Sequence, residues 1–176
     1  TVLELANGLT WEASLNFSRN ESRVVELAPG LNTYVLWTDR GASLEARVGE
    51  PYGSIHGVKF ARTADGQIIF KNGYPTTLPG QHVIGNIMPD WLGGIHNAIS
   101  FKGITIAALI DIKKGGDIYD MGTSLMRQNG ITDESAVGRE EGVIGVGMMN
   151  IGTEGDPVYV PNDVVASTRT FMSYYS

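Results

Sequence analysis

Residues 89–116 read PDWLGGIHNAISFKGITIAALIDIKKGG, and no other run limits the fold of this chain as tightly. Residues 91–101 and 104–113 each suit an extended strand of about ten residues. The Lys102-Gly103 pair between them is a minimal hairpin connection, in which Gly supplies the positive φ that short loops need. In the second strand Ile104, Ile106, Ala108, Ile110 and Ile112 fall on one face, while Thr105, Ala107, Leu109, Asp111 and Lys113 fall on the other. One face is wholly apolar and the other carries charge.

A strand of about ten residues with one apolar face is what crosses a hydrocarbon band about 25 Å tall in an outer-membrane barrel. The half-buried sheet of a soluble sandwich has the same periodicity. Residues 10–18, TWEASLNFS, repeat the pattern: Trp11, Ala13, Leu15 and Phe17 alternate with Glu12, Ser14, Asn16 and Ser18. This is either a crossing strand with Trp11 near one interface or a half-buried strand of a soluble sheet.

Composition narrows the choices. The 23 glycines and a hydrophobic share of 42% fit a turn-rich β protein with little helix. A net charge of -6 argues against a nucleic-acid partner, which calls for a clustered basic face. Without cysteine there is neither a disulfide nor a thiolate metal site to propose, and His56, His82 and His96 lack metal-ligand spacing. No metal or cofactor is therefore expected. The opening TVLELANGLT has neither the basic start nor the apolar run of a signal peptide. No stretch approaches the roughly 20 apolar residues of a membrane helix, which leaves barrel strands untouched.

Elsewhere the chain reads as short strands and loops. Residues 32–37 and 42–48 suit two short strands, 52–62 another, and Asp65-Gly66 and Asn72-Gly73 are turn signals. Residues 74–83, with Pro75 and Pro79, should be irregular. Residues 117–129 carry Ile118, Met121, Leu125 and Met126 at helical spacing, with Asp117 placed to cap and Gly130 to stop a short helix; Thr132 with Ser135 can open a further turn. Residues 142–147, GVIGVG, reverse the dinucleotide fingerprint and read as a flexible loop. There is no nucleophile elbow or P-loop. Asp111, Asp117 and Asp120 are either a carboxylate cluster for acid-base work or calcium, or solvating and capping groups.

Residues 85–122, GNIMPDWLGGIHNAISFKGITIAALIDIKKGGDIYDMG, resemble the late-barrel segment of SusC/RagA-type TonB-dependent receptors, where G-N-x-x-P-D-W is followed by a strand, a short turn, a strand and R/K-x-G-G-D. Residues 49–70, GEPYGSIHGVKFARTADGQIIF, also look like that family. The resemblance implies an all-β chain whose antiparallel strands form part of a large, 22-stranded outer-membrane barrel, within a longer polypeptide bearing a signal and a plug domain. Residues 1–113 would supply barrel strands, turns and one loop, and residues 114–176 a long extracellular loop with a short helix and the start of the next strand. With short turns on the periplasmic side, Lys102-Gly103 would face the periplasm, everything after Gly115 would lie outside, and residues 19–51 would sit at the periplasmic rim.

The implied activity is import of oligosaccharides or peptides across the cell outer membrane, with a SusD-like lipoprotein as lid and TonB acting through a plug that this sequence does not contain. Outer-membrane lipid is the implied surrounding, and no catalytic residue is expected. Candidate contact residues for ligand or partner are Trp91 in the P-D-W element, Asp111 on the lumen face, and Tyr119 and Tyr159 in the last third, where Phe171, Tyr174 and Tyr175 also lie. Two alternatives stay open. A soluble secreted β-sandwich that binds glycans would pack residues 11–17 and 104–112 against each other, and a β-rich enzyme using Asp111 needs a second carboxyl within about 5 to 10 Å.

Overall fold

The computed structural model describes residues 2–5, 7–153 and 155–175. The elements run β1 (Val2–Glu4), β2 (Thr10–Ser18), β3 (Thr33–Asp39), β4 (Ala42–Arg47), β5 (Ser54–Gly57), β6 (Ile69–Lys71), β7 (Tyr74–Pro75), β8 (His82–Asn86), β9 (Pro89–Phe101) and β10 (Ile104–Gly115). After these come α1 (Met121–Gln128), α2 (Asp133–Ala136), β11 (Val143–Ile144), β12 (Met148–Asn150), β13 (Tyr159–Pro161), β14 (Val165–Ala166) and α3 (Thr168–Tyr174). Strand accounts for 45% and helix for 11%, so the chain is mostly antiparallel β, and among the described residues no sheet closes into a barrel. No helix among them is long and apolar enough to cross a membrane. Two compact units form: Thr1–His56 with Val83–Ile118, and Gly57–His82 with Tyr119–Ser176.

The first unit is built on a four-stranded sheet in the order β1-β2-β9-β10. Lys102 and Gly103 both take positive φ, 49° and 85°, which is the mirror-image turn whose twist matches a right-handed hairpin. That turn sets Ile104 opposite Phe101, and the register then holds unbroken to Lys114 opposite Trp91. Because directly opposed residues point the same way, Trp11, Ile99 and Ile106 form one row across the sheet, Leu15, Ile95 and Ile110 another, and Phe17, Gly93 and Ile112 a third. The opposite face carries Ser14, His96 and Leu109, then Asn16, Gly94 and Asp111.

Among the described residues nothing covers the apolar face. Ile104, Ile106 and Ile110 are 70%, 73% and 55% exposed, and Leu15 is 77% exposed. Asn97 is the polar residue in the middle of that face, and the Trp11 indole N–H donates to its side-chain oxygen at 2.7 Å. At the other end Gly93 makes room for Trp91, whose ring would lie 3.1 Å from an added Cβ, and Trp91 meets Phe17 with centroids 5.8 Å apart. β10 is an edge strand, twelve residues long and exposed throughout.

Antiparallel register also decides where the connections leave. Ser18 lies opposite Leu92, and Gly115 opposite Pro89. The chain thus quits the sheet after Ser18, re-enters at Pro89 and quits again after Gly115, always at the end remote from Lys102-Gly103. The tight turn between β1 and β2, where Leu5 and Leu9 bond through their backbones, shares the Lys102-Gly103 end. β2 crosses the sheet once, so residues 19–51, expected at the same rim as the Lys102-Gly103 turn, leave the sheet from its opposite end.

A smaller sheet in the same unit has the order β3-β4-β5-β8. Ala42, Ala46 and Ile55 are buried there beside Glu45, 6% exposed. Burial works against the Glu45 charge. Hydrogen bonds from Arg47 at 2.6 Å and from Ser43, together with the Arg47 charge, outweigh it and hold this carboxyl below its ordinary 4.5. A depressed folded-state pKa gives stability that is present above the unfolded value and lost as pH falls through the folded one.

The second unit contains the sheet β13-β12-β6-β7 and the pair β11-β14, with α1, α2 and α3. Its centre is Phe70, 2% exposed and stacked on Phe171 at 6.3 Å, while Phe171 and Phe60 each meet Tyr175 at 5.1 Å. A Cβ at Gly145 or Gly147 would overlap the Phe70 ring. The GVIGVG run is therefore a close-packed approach to an aromatic core and not the flexible loop its composition indicates. The last segment is helix α3 where the start of a further strand was expected, because Phe171, Tyr174 and Tyr175 share one helical face and seat on Phe70, Tyr74 and Phe60.

Replacing Gly147 by Ala should cost about 1–3 kcal/mol in urea-denaturation stability of the second unit, as overpacked cores do. Glu45→Gln should lower stability at neutral pH, and its difference from the parent should start to shrink near the ordinary carboxyl value of 4.5 and be gone once pH has fallen through the lower folded-state value, measured by melting temperature against pH.

Candidate functional site

A cleft of about 770 Å³ in the first unit opens where β2 ends, β9 begins and β10 ends. Phe17, Trp91 and Lys114 reach it from those three strands, and Arg19, Arg23 and Tyr52 from the connections. Register explains the strand contribution: Lys114 pairs with Trp91, and Phe17 pairs with Gly93, two residues along the same face. Tyr52 is held from behind, since the Asn86 side-chain amide donates to its carbonyl at 3.3 Å.

The rim of the cleft is a clamp between two distant stretches. Asn86 and Asp117 exchange two bonds: the Asp117 N–H donates to the Asn86 carbonyl at 2.7 Å, and the Asn86 N–H donates to the Asp117 carboxylate at 2.8 Å. The Asn86 side-chain oxygen takes the Met88 N–H at 2.7 Å. Gly85 is where the Asp117 carboxylate lies closest, 2.7 Å from where a Cβ would stand. Gly115 and Gly116 take φ of 74° and 82°, and a Cβ on Gly115 would sit 2.8 Å from the Asp90 carboxyl carbon. Gly85, Asn86, Asp90, Gly115 and Asp117 thus each have a mechanical task at one joint.

The sequence-derived candidates fall in different places. Trp91 lines the cleft. Asp111 does not: it lies opposite Gly94 on the polar face of the sheet, exposed. Tyr119 and Tyr159 belong to the second unit, Tyr119 ahead of α1 and Tyr159, 36% exposed, opening β13 opposite Asn150. Phe171, Tyr174 and Tyr175 spend their rings on neighbours within that unit and are not free platforms. Burial raises the Tyr175 hydroxyl above its ordinary value, partly offset by the Arg62 charge.

The three aspartates do not gather into one cluster. Asp117 clamps Asn86, and Asp120, in the place assigned to Asp117, caps α1 by accepting from the Thr123 N–H at 3.1 Å and its hydroxyl at 2.6 Å. Those bonds lower the Asp120 carboxyl below its usual range. Among the described residues no group of three potential metal ligands occurs. His56 is fully buried beside Glu50, with the imidazole Nε2 3.0 Å from a carboxylate oxygen.

Chemically the cleft sets aromatic faces of Trp91, Phe17 and Tyr52 among guanidinium, ammonium, carboxylate and amide groups. Such a surface stacks a ring and hydrogen-bonds its periphery. Tyr52, Arg19, Arg23 and Lys114 were not singled out from sequence. The register of the hairpin would have found Lys114, as Trp91's partner, but the arginines arrive from an irregular connection. No protein-family model matches this chain, and no curated protein matches it.

With Trp11 and Trp37 replaced by Phe, emission comes from Trp91 alone, and adding a ligand whose ring stacks in the cleft should quench or shift it. Tyr52→Ala should weaken that response about tenfold or less, in line with about 0.5–1.5 kcal/mol for one aromatic contact. An unchanged emission would remove Trp91 from the site.

Proposed function

We propose that this chain forms strands and outer loops of a SusC/RagA-like TonB-dependent transporter in the cell outer membrane, one that imports oligosaccharides or peptides with a SusD-like surface lipoprotein. The observation that carries the reading is the uncovered apolar face of β2, β9 and β10. Leaving an isoleucine side chain in water forgoes roughly 1.5–3 kcal/mol each, so a face holding Ile104, Ile106, Ile110 and Ile112 together calls for an apolar medium. Strand length agrees: β2, β9 and β10 have 9, 13 and 12 residues, against about 9–11 needed to cross.

Three further features support it. The polar face, with Ser14, Asn16, His96, Thr105, Asp111 and Lys113, suits a watery lumen. Tight turns gather at one end of the sheet and long excursions at the other, the pattern of periplasmic and extracellular sides. Aromatic residues stand at both ends of the apolar rows, Trp11 and Phe101 at one and Phe17 and Trp91 at the other. The resemblance of residues 85–122 is what suggests the family. In this reading residues 19–88 and 116–176 both begin on the outer side, TonB acts through a plug outside this sequence, and the chain positions ligand and does not catalyse.

The soluble sandwich required residues 11–17 and 104–112 to face each other across a core. They instead lie side by side in one sheet, Trp11 in the same row as Ile106.

Charge at the mid-height of the two faces separates the readings. In the intact transporter, Ile110→Arg should impair assembly into the outer membrane, consistent with about 2–4 kcal/mol for Arg at the bilayer midplane, while Leu109→Arg on the opposite face should assemble normally. Fractionation and heat-modifiable mobility on gels check this; equal behaviour of the two variants would sink the barrel assignment.

A further inference from the structure

The second unit has a cleft that the transporter reading does not yet use. It holds about 400 Å³ and is lined by Arg127, Arg139 and Arg169 with the hydroxyls of Ser135, Ser167 and Thr168. The other lining residues are Gln128, Asn129 and Gly130, so among the described residues that line it none is acidic. Three arginines line this one cleft in a chain whose net charge is -6. A shallower hollow of about 290 Å³ shares Arg169, Gln128 and Asn129 and adds Thr170 and Ser173. Together they make a groove walled by guanidinium, amide and hydroxyl groups.

Local structure holds this wall in place. Helix α1 ends in a paired-bond cap: Gly130, at φ 73°, donates to the Arg127 carbonyl at 3.2 Å, and Ile131 donates to the Met126 carbonyl at 2.9 Å. Thr132 at once caps α2 by accepting from the Ser135 N–H, so two helices meet at a fixed angle with Arg127 on one and Ser135 on the other. Arg127 is anchored by its bond to the Tyr175 carbonyl at 3.0 Å and by Glu134, 3.2 Å from its Nε. Arg139 is anchored by the Gly130 carbonyl at 2.5 Å. Among the described residues the guanidinium of Arg169 has no hydrogen bond or ion pair, and it lies exposed at the start of α3.

Two anchored arginines and one unengaged arginine without a lining carboxylate form a receptor for oxyanions, since the guanidinium fork matches sulfate and carboxylate oxygens in pairs. The hydroxyls and amides around them match a polyhydroxylated ligand. Among the described residues that line the groove none has an apolar side chain, so it is not built to receive the apolar side chains of an ordinary peptide. We propose that this groove binds an anionic oligosaccharide through its sulfate or uronate groups, with Arg169 closing on the anion. The proposal rests on the transporter reading for its biological sense and names the class of substrate.

The experiment is calorimetric titration of the full chain, in the assembled transporter, with a sulfated tetrasaccharide, a uronate tetrasaccharide, a neutral tetrasaccharide, inorganic sulfate and oligoglutamate. At least one acidic sugar should bind roughly tenfold or more tightly than the neutral one, and Arg169→Gln should remove most of that difference. Arg169→Lys should restore part of it, and rising salt should weaken it. Circular dichroism of Arg169→Gln should match the parent, because the side chain holds nothing in place.

The proposal is overturned if neutral and acidic sugars bind alike, or if Arg169→Gln and Arg139→Gln both titrate like the parent. Oligoglutamate binding as tightly as the acidic sugar would make the ligand a peptide, and sulfate alone binding as tightly would leave no role for the sugar; either overturns it. The Ile110→Arg and Leu109→Arg pair stays independent: equal assembly there removes the transporter while leaving anion binding to stand or fall by titration.

Discussion

The first unit takes its form from the register set by Lys102-Gly103. A slip of one residue would exchange the two faces of β10 entirely, presenting Asp111 and Lys113 where the isoleucines stand. The turn resists such a slip because its two positive φ values admit only a two-residue connection of one hand. Lys102 accepts the strain of a left-handed backbone to keep that geometry. From this one hairpin come the three-residue rows with β2, the position of Asn97 under Trp11, and the meeting of Phe17, Trp91 and Lys114 at the cleft.

The second organising contact is the reciprocal bonding of Asn86 with Asp117. It ties the segment entering β9 to the segment leaving β10, so the mouth of the hairpin is closed at one end by a turn and at the other by a clamp. The glycines beside it are permissive by necessity: at Gly85 the carboxylate occupies the space of a side chain, and at Gly115 the Asp90 group does. The polar residues around Trp91 are thereby tied to the hairpin through Asn86 and Asp117.

How much of this was legible depended on period and turn chemistry. The long hairpin, the strand at Thr10–Ser18 and the pairs Asn72-Gly73 and Lys102-Gly103 come from alternation and from glycine in a two-residue loop, which are local rules. The Arg40-Gly41 turn has the same geometry, with φ of 43° and 88°, and could be read the same way. The features that escaped were long-range. Gly145 and Gly147 look like punctuation until Phe70 and Phe171 are brought against them. The tail looks like the start of a strand until its aromatic residues, spaced for one helical face, find partners far back along the chain in Phe60 and Tyr74. Asp117 and Asp120 are each plausible caps, and only the closeness of Asn86 assigns them different work. The arginine groove was invisible for the same reason: Arg127, Arg139 and Arg169 come from three segments, and nothing in their spacing announces convergence.

Among the described residues β10 has a strand partner on one side only. Along its other margin a dozen residues of extended backbone keep donors and acceptors aimed sideways, with neither proline nor a bulge before Lys114 to blunt them. Such a margin is indifferent to what zips onto it. Left unpaired, that margin is a template on which another extended segment can add through its backbone. In the proposed transporter, the next strand of the wall would occupy that margin and satisfy its donors and acceptors.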